Sequence, residues 1–380
     1  MTLFDQIERE GIGPRLYAQP DFDYLNKSAR PGVAAIRQTL EDRFSRYPVA
    51  HRPELRAQFR SDNHQHRSAH FELVLHELLL RLGVDVKVHP VMLRTNRRPD
   101  FLVTSPSGTS CYLEAILATN QTREEAAAEA RKNQVYDAIN QLNSPDFFIG
   151  LDPIGNPETP PSGQRIRAFL TERLAGLNRI EVLALLEQEN VPGFEALPRW
   201  RYEHDGWTID FFPLPKPESL QGQTDVRPIG LQFSGFELLH TKEAIRNAVQ
   251  QKAGRYGELA FPYVIAVNVL SDFVDRTDEV EALFGDEQWP GEPRVANGVW
   301  RGIAGPQNTR VSGVAVFERL EQSNLPRVVS CLYHNPWAAR PYEGELDRLT
   351  HAVVNENKLK FHDGESLGTI LGLPEGWPGE

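Results

Sequence analysis

The spacing of hydrophobic residues in the N-terminal third predicts helices. Over residues 68–82, apolar side chains recur every three or four positions, and Gly83 provides a stop at the C-terminal end. Residues 32–46 show the same spacing in an arginine-rich stretch. We therefore expect residues 1–60 to form a helical lead-in and residues 68–82 to form a long helix.

Alternating and wholly apolar segments after this helix predict strands. Residues 84–89 alternate, residues 100–104 follow a basic turn with three apolar residues after Asp100, and residues 111–117 form a largely apolar run. A helical pattern over 122–142 and an apolar strand at 147–151 come next. The predicted order is therefore helix, three strands, helix, strand.

The C-terminal half contains a second strand-rich pattern. A helix is predicted over 242–256, and the apolar run at 262–268 that follows it is typical of a buried central strand. Residues 311–317 and 328–333 are expected to extend the sheet.

These elements predict a mixed α/β fold with a central sheet flanked by helices. We expect one α/β domain over 61–354, with a core at 68–151 and a sheet-extending part at 152–354. Beyond Asn355 the periodicity fades, so an irregular C-terminal tail is expected at 355–380.

Three carboxylates occupy chemically informative places in these elements. Glu72 lies on the apolar helix, Asp100 begins the second strand, and Glu114 lies in the middle of the third. Because a tight turn joins the two strands, we expect Asp100 and Glu114 to converge, and crowded carboxylates favour protonation or a bound cation. A set of oxygen ligands is typical of Mg²⁺ or Mn²⁺, which polarise a phosphodiester and activate water.

The acidic positions also resemble the motif of a known family. The stretch Arg98-Pro99-Asp100-Phe101, Glu114 fourteen positions after Asp100, and Glu72 on the preceding helix resemble the PD-(D/E)XK nuclease superfamily. The order of elements over 68–151 is similar to that superfamily's core. The resemblance implies a restriction-endonuclease-like α-β-β-β-α-β fold and metal-dependent hydrolysis of DNA. It also implies that Glu72, Asp100 and Glu114 are catalytic and ligate Mg²⁺ or Mn²⁺.

One position departs from that family's motif. The family's lysine stands two residues after the second acid, where this chain has Ile116. This departure has three explanations: migration of the lysine to another element, a chemistry that does without it, or an inactive domain. Lys132 and Lys252 each lie on the apolar flank of a predicted helix, and either is a candidate replacement, with a solvated surface position as the alternative. We favour Lys132, because its helix directly follows the Glu114 strand and a short connection should pack it back over that strand.

The distribution of charge restricts where a polyanion can bind. The formal net charge is -11, but residues 1–100 contain 16 Lys and Arg against 13 Asp and Glu, which gives +3 there and -14 for the remaining residues. A nucleic-acid site is therefore expected early in the chain. Arg94, Arg97 and Arg98 are the candidates to hold the DNA backbone, and a merely solvated surface is the alternative for them.

The three carboxylates are also compatible with a protein that has no catalytic activity. Glu72 and Glu114 are then surface residues, and Asp100 accepts N–H groups of a turn. The alternative function is a catalytically inactive nuclease fold that binds nucleic acid or serves in an assembly. No apolar window has the length of a membrane span, and the first residues lack the pattern of a signal peptide, so we expect a cytoplasmic protein without a membrane partner.

Overall fold

The chain folds into two compact units rather than one continuous domain. Unit 1 comprises Met1–Gly13, Pro20–Asn120 and Leu239–Glu380, and unit 2 comprises Pro14–Gln19 and Gln121–Leu238. The sequence of unit 1 is therefore interrupted by unit 2, whereas the pattern of the chain predicts a single domain over 61–354. The computed structural model describes residues 1–92, 95–119, 121–186, 193–233, 241–271, 273–288, 294–356 and 358–379.

Helices and strands follow one another along most of the chain. The helices are α1 (Asp21–Lys27), α2 (Pro31–Arg46), α3 (Arg52–Phe59), α4 (Asn63–Arg81), α5 (Arg123–Ile139), α6 (Gly163–Ala175), α7 (Arg179–Leu186), α8 (Thr241–Ala253), α9 (Arg276–Phe284) and α10 (Leu367–Leu371). The strands are β1 (Asp85–Val88), β2 (Phe101–Thr104), β3 (Ser110–Ala118), β4 (Phe147–Gly155), β5 (Trp200–His204), β6 (Trp207–Pro215), β7 (Ile229–Gln232), β8 (Tyr263–Val269), β9 (Arg301–Gly302), β10 (Gly305–Pro306), β11 (Gly313–Glu318), β12 (Ser330–His334), β13 (His351–Asn355) and β14 (Lys358–His362).

The helix predicted over 68–82 is confirmed as α4, although it begins earlier than its apolar spacing indicates. The Asp62 side chain accepts a hydrogen bond from the Gln65 N–H, and this cap starts the helix ahead of its apolar stretch. α4 spans 19 residues, and Phe71 and Leu75 are among its buried residues. Neither α4 nor any other helix in the described ranges combines the length and apolar character that crossing a membrane requires.

Unit 1 is built on a mixed sheet in the order β1-β2-β3-β8-β11-β12-β13-β14. β1, β2 and β3 are antiparallel neighbours, whereas β8 runs parallel to both β3 and β11. β8 is buried along its whole length, as the apolar run at 262–268 predicts. β11 and β12 extend the sheet as expected. The predicted mixed α/β class, with a large sheet flanked by helices, is confirmed.

Successive residues of the central strands point to opposite faces of this sheet. Leu113 and Val264 join the core that contains α4. Tyr112 and Ile265 join the core that contains α8. Glu114 therefore lies on the α8 face, because it stands two residues after Tyr112 on β3.

Unit 2 contains a second sheet, in the order β5-β6-β4-β7. β4 and β6 pair antiparallel from Phe147 opposite Pro215 to Gly155 opposite Trp207. The prediction that the strand at 147–151 belongs to the same core as β3 is therefore wrong. β8 pairs with β3 instead, because a local pattern shows that a segment is a strand but not which strand becomes its partner.

The C-terminal segment is more regular than predicted. β14 pairs with β13, and α10 packs against α4 with Leu367 and Leu371 buried. The irregular tail expected at 355–380 is therefore wrong. Each of these two elements spans only five residues, so the alternation in β14 and the helical spacing in α10 are too short to stand out as a pattern.

Candidate active site

Glu114 is the centre of a buried charged cluster in unit 1. Its side chain is 1% exposed, and Lys252 on α8 donates from Nζ to its Oε1 at 2.5 Å. A guanidinium nitrogen of Arg255 lies 3.3 Å from the same oxygen, and the Tyr256 hydroxyl donates to Oε2. Both carboxylate oxygens are therefore engaged, and two cations from one segment balance the charge of Glu114.

The local sequence of α8 explains how Lys252 reaches this position. Ile245 and Ala248 pack into the core on that face of the sheet, and Lys252 follows Ala248 by one helical turn. Its apolar stem lies along this core while the ammonium group ends on Glu114. The Tyr263 hydroxyl on β8 donates to the carbonyl oxygen of Lys252 at 3.3 Å, which ties the end of the helix to the sheet.

Asp100 lies next to this cluster, directly before β2. Its Oδ2 accepts a hydrogen bond from the Ala115 N–H at 2.7 Å, which orients the carboxylate towards β3. Loss of hydration raises the pKa of Asp100 to about 7, and the negative charges of Glu114 and Glu72 add to the rise. Asp100 and Glu114 therefore interact as their strands predict, and Asp100 changes its protonation state near neutral pH.

Glu72 enters from α4 and is held by two residues that no sequence motif identifies. The Tyr47 hydroxyl donates to its Oε1 at 2.5 Å, and Nε2 of His89 lies 3.4 Å from that oxygen. The hydrogen bond with Glu72 raises the pKa of His89. The backbone N–H of His89 donates to the carbonyl oxygen of Asp100 at 2.9 Å, so this residue connects α4 with the start of β2. Sequence reasoning missed Tyr47 because it follows the end of α2. It missed His89 because this residue is only the last polar position of the alternating segment 84–89, and alternation does not indicate a function.

The chemistry of these carboxylates fits a hard divalent cation. They offer only oxygen ligands. Burial first, and then the negative charges of Glu114 and Glu72, raise the pKa of Asp100, and a bound cation would offset both effects. In the part of the chain that the structure describes, however, no three His, Cys, Asp or Glu side chains are arranged as a metal-binding group. Lys252 and Arg255 supply the positive charge beside Glu114 in this arrangement.

The preference for Lys132 over Lys252 is corrected by the path of the chain. That preference assumed that α5 packs directly back over β3. The chain instead enters unit 2 at Gln121, where α5 packs against α6, and α8 packs against the face of β3 that carries Glu114. Lys252 is therefore the lysine that contacts Glu114.

The basic turn before β2 is fastened to the end of α8. Arg97 and Arg98 are both exposed, and Arg97 donates from its guanidinium to the carbonyl oxygen of Arg255 at 3.1 Å. The carbonyl oxygen of Arg98 lies 3.0 Å from the Tyr256 hydroxyl oxygen, the same hydroxyl that contacts Glu114. Arg94, the third predicted backbone-binding residue, lies outside the described residues.

Comparisons with known proteins give no relative from which a function can be transferred. No protein-family model, curated protein or solved structure matches the chain. The chemistry of the site must therefore be interpreted from its own residues.

Proposed function

We propose that the protein is a metal-dependent nuclease that hydrolyses DNA phosphodiester bonds. The observation that carries the proposal is the buried contact of Lys252 with Glu114, beside an Asp100 carboxyl group whose pKa is about 7. The resemblance to the PD-(D/E)XK superfamily requires a lysine next to the carboxylate of the third strand. Ile116 cannot provide it, and Lys252 provides it from a helix that packs on the same strand.

The order of elements supports the same resemblance. α4, the antiparallel strands β1 to β3, α8 and the parallel strand β8 follow one another in the α-β-β-β-α-β order of a restriction-endonuclease-like core. Unit 2 is inserted between β3 and α8. This insertion explains why the lysine lies 138 positions from Glu114 in the chain and still contacts it.

Each side chain of the cluster has a role in the proposal. Glu72, Asp100 and Glu114 would hold Mg²⁺ or Mn²⁺, which when bound polarises the scissile phosphate and lowers the pKa of water. The Lys252 ammonium group stabilises the negative charge that develops on the phosphate oxygens during attack. The Tyr256 hydroxyl keeps the Glu114 carboxylate in one orientation.

We assign binding of the DNA backbone to the exposed arginines of the turn before β2. Arg97 and Arg98 lie in the loop that ends at Asp100, so phosphates bound there are held next to the carboxylates. Arg94 keeps its predicted role in the same loop. Because the formal net charge of the chain is -11, we expect binding to be weak. Since each arginine that neutralises a phosphate releases counterions, we also expect binding to weaken with added salt.

Cleavage of DNA by the full chain tests this function. Plasmid, linear duplex and single-stranded DNA are incubated with Mg²⁺, with Mn²⁺ or with EDTA. We expect cleavage with either metal and none with EDTA. Lys252→Met should lower the rate by about 100-fold or more, the usual effect of losing one preorganised electrostatic stabiliser, whereas the matched control Lys132→Met should keep the wild-type rate.

Two controls keep this test decisive. Lys252→Met leaves Glu114 without its principal cation, so the variant Glu114→Asp, which keeps the Lys252 charge and draws the carboxylate back, is assayed in parallel and should also lose most activity. Folding of each variant is checked by circular dichroism. Loss of cleavage in Lys132→Met but not in Lys252→Met would reject the lysine assignment, and wild-type protein that cuts none of these DNAs would reject the nuclease.

The alternative is a catalytically inactive nuclease fold that binds nucleic acid or serves in an assembly. One observation favours it: both oxygens of Glu114 already have partners within the protein. The two functions differ in their response to metal. A rise in melting temperature with Mg²⁺ or Mn²⁺ that Asp100→Ala abolishes supports the enzyme, and the absence of any such rise supports the inactive fold.

A further inference from the structure

Three arginines from separate segments converge on the loop that joins α8 to β8. Each donates a guanidinium N–H to a backbone carbonyl oxygen of this loop, and the accepting residues alternate along it. The pairs are Arg97 with Arg255, Arg310 with Gly257 and Arg340 with Leu259, at 3.1, 2.9 and 3.0 Å. We call Arg97, Arg310 and Arg340 the arginine cluster.

The arginine cluster keeps most of its capacity to bind a ligand. A guanidinium has five N–H donors, and each of these bonds uses only one of them. All three residues are exposed, and none of them forms an ion pair with a carboxylate of the described residues. Some exposed arginines are neutralised, as Arg348 is by Glu365 at 2.8 Å. The cluster therefore presents positive charge without an acidic partner.

The loop that gathers the cluster also belongs to the carboxylate site. Arg255 lies 3.3 Å from Glu114, and Tyr256 donates to the same carboxylate. The three guanidinium groups donate to the carbonyl oxygens of Arg255 itself and of Gly257 and Leu259, which follow it closely in the loop. A ligand bound by the cluster therefore lies beside the loop that follows α8, next to the helix end that carries Lys252.

We propose that the arginine cluster is a clamp for the phosphate backbone of DNA, an assignment that rests on the proposed nuclease function. Guanidinium groups are suited to phosphate oxygens because their planar donors match the geometry of the anion. Three of them on different segments suit a ligand with repeated phosphates better than a single small anion. Only Arg97 belongs to the N-terminal region where the charge balance predicts a polyanion site; Arg310 and Arg340 come from the acidic part of the chain.

Binding of fluorescent duplex DNA in EDTA, at several salt concentrations, tests the clamp without requiring cleavage. Arg97→Gln/Arg310→Gln/Arg340→Gln should flatten the slope of log affinity against log salt by about 2 to 3 units, because each lost phosphate contact removes about one. A matched control with the same change of charge should flatten it by less than 1. This control replaces Arg30, Arg165 and Arg327, which are exposed at other places on the chain.

A purely structural role of the arginines predicts a different result. If they only brace the loop, the glutamine variant lowers the melting temperature and leaves the salt slope unchanged, which would overturn the clamp. The corresponding triple lysine variant retains the charge and should retain most of the slope. Wild-type protein that binds no DNA in EDTA also overturns it.

The outcomes separate the clamp from the nuclease. Cleavage with Mg²⁺ combined with an unchanged salt slope rejects the clamp and leaves the nuclease standing. A flattened slope in a protein that cuts nothing supports the clamp and rejects the nuclease.

Discussion

Each of the two units places a carboxylate on a central strand beside a cation, but only one of these pairs is shielded from water. In unit 1, the side chains of Lys252 and Glu114 are 12% and 1% exposed. In unit 2, those of Arg201 and Asp210 are 58% and 14% exposed. Arg201 stands directly opposite Asp210 on the neighbouring strand, and both of its bonds to Asp210 are 2.8 Å long.

The difference in exposure changes what each pair does to nearby charge. The hydrogen bond from Arg201 lowers the pKa of Asp210, as a surface pair is expected to do. Around Glu114, burial and neighbouring carboxylates raise the pKa of Asp100 to about 7 although Lys252 is close. Unit 1 therefore contains negative charge that responds to a proton or a cation near neutral pH, whereas the unit 2 pair is an ordinary cross-strand contact.

Asp100→Asn should produce the largest change in stability. The pKa of Asp100 rises from 3.8 to about 7 on folding, so the unfolded chain releases this proton at lower pH than the folded protein does. This group therefore lowers wild-type stability as the pH rises from about 4 to 7, by at most about 4 kcal/mol. Asparagine retains an acceptor for the Ala115 N–H and removes the titration. The variant should be more stable than wild type at pH 8 but not at pH 4. Denaturant unfolding at both pH values measures the difference in free energy of unfolding between variant and wild type. An equal difference at both pH values contradicts the prediction.

Lys252→Met should have the next largest effect on stability. It leaves the buried Glu114 charge with Arg255 as its remaining cation, so we expect a loss of about 3 kcal/mol, at the lower end for a broken buried pair. Glu114→Gln/Lys252→Met removes both charges and should recover most of this loss without recovering cleavage. Denaturant unfolding of both variants measures these stabilities. If the double variant is no more stable than Lys252→Met, the unpaired Glu114 charge is not the cause of the loss.

Divalent metal should stabilise wild-type protein by a smaller amount. A cation at tenfold its dissociation constant contributes about 1.4 kcal/mol to folding. Asp100→Ala and Glu114→Ala should each abolish this gain, and because crowding of carboxylates is relieved, Asp100→Ala should be at least as stable as wild type without metal. Thermal unfolding with and without Mg²⁺ measures the gain, and calorimetry that detects no Mg²⁺ or Mn²⁺ binding at millimolar metal would contradict it.

Arg201→Gln should have the smallest effect. The pair with Asp210 is largely solvated, so we expect no measurable change in the unfolding midpoint and no change in cleavage. Thermal unfolding and the cleavage assay check both expectations. A destabilisation comparable to that of Lys252→Met would show that exposure does not separate the two pairs.

Much of the local structure could be predicted because it depends on neighbouring residues. The apolar spacing that predicts α4 and the wholly apolar run that predicts β8 both describe how a segment buries one face or two. The same spacing puts Glu72 and Glu114 among apolar residues, and both are buried. Prediction failed for β14, a five-residue strand whose apolar residues are only half-buried, and for α10, whose leucines are buried where it packs against the distant α4.

The residues around the carboxylates were harder to predict. Tyr47 and His89 hold Glu72 from positions that follow the ends of α2 and β1, where neither periodicity nor a motif distinguishes them. Lys252 had the same local pattern as Lys132, an apolar helical flank ahead of a tyrosine. Choosing between the two lysines required knowing which helix packs on β3.

By itself, the sequence determined the mixed α/β class, the main helices and strands of the central sheet, and the acidic positions Glu72, Asp100 and Glu114. These follow from burial patterns that act over a few residues. Only the tertiary structure decided that Lys252 contacts Glu114, because the segment Gln121–Leu238 folds as a separate unit between β3 and α8. The pairing of strands and the packing of helices are set by the free energy of the whole core, which no local pattern contains.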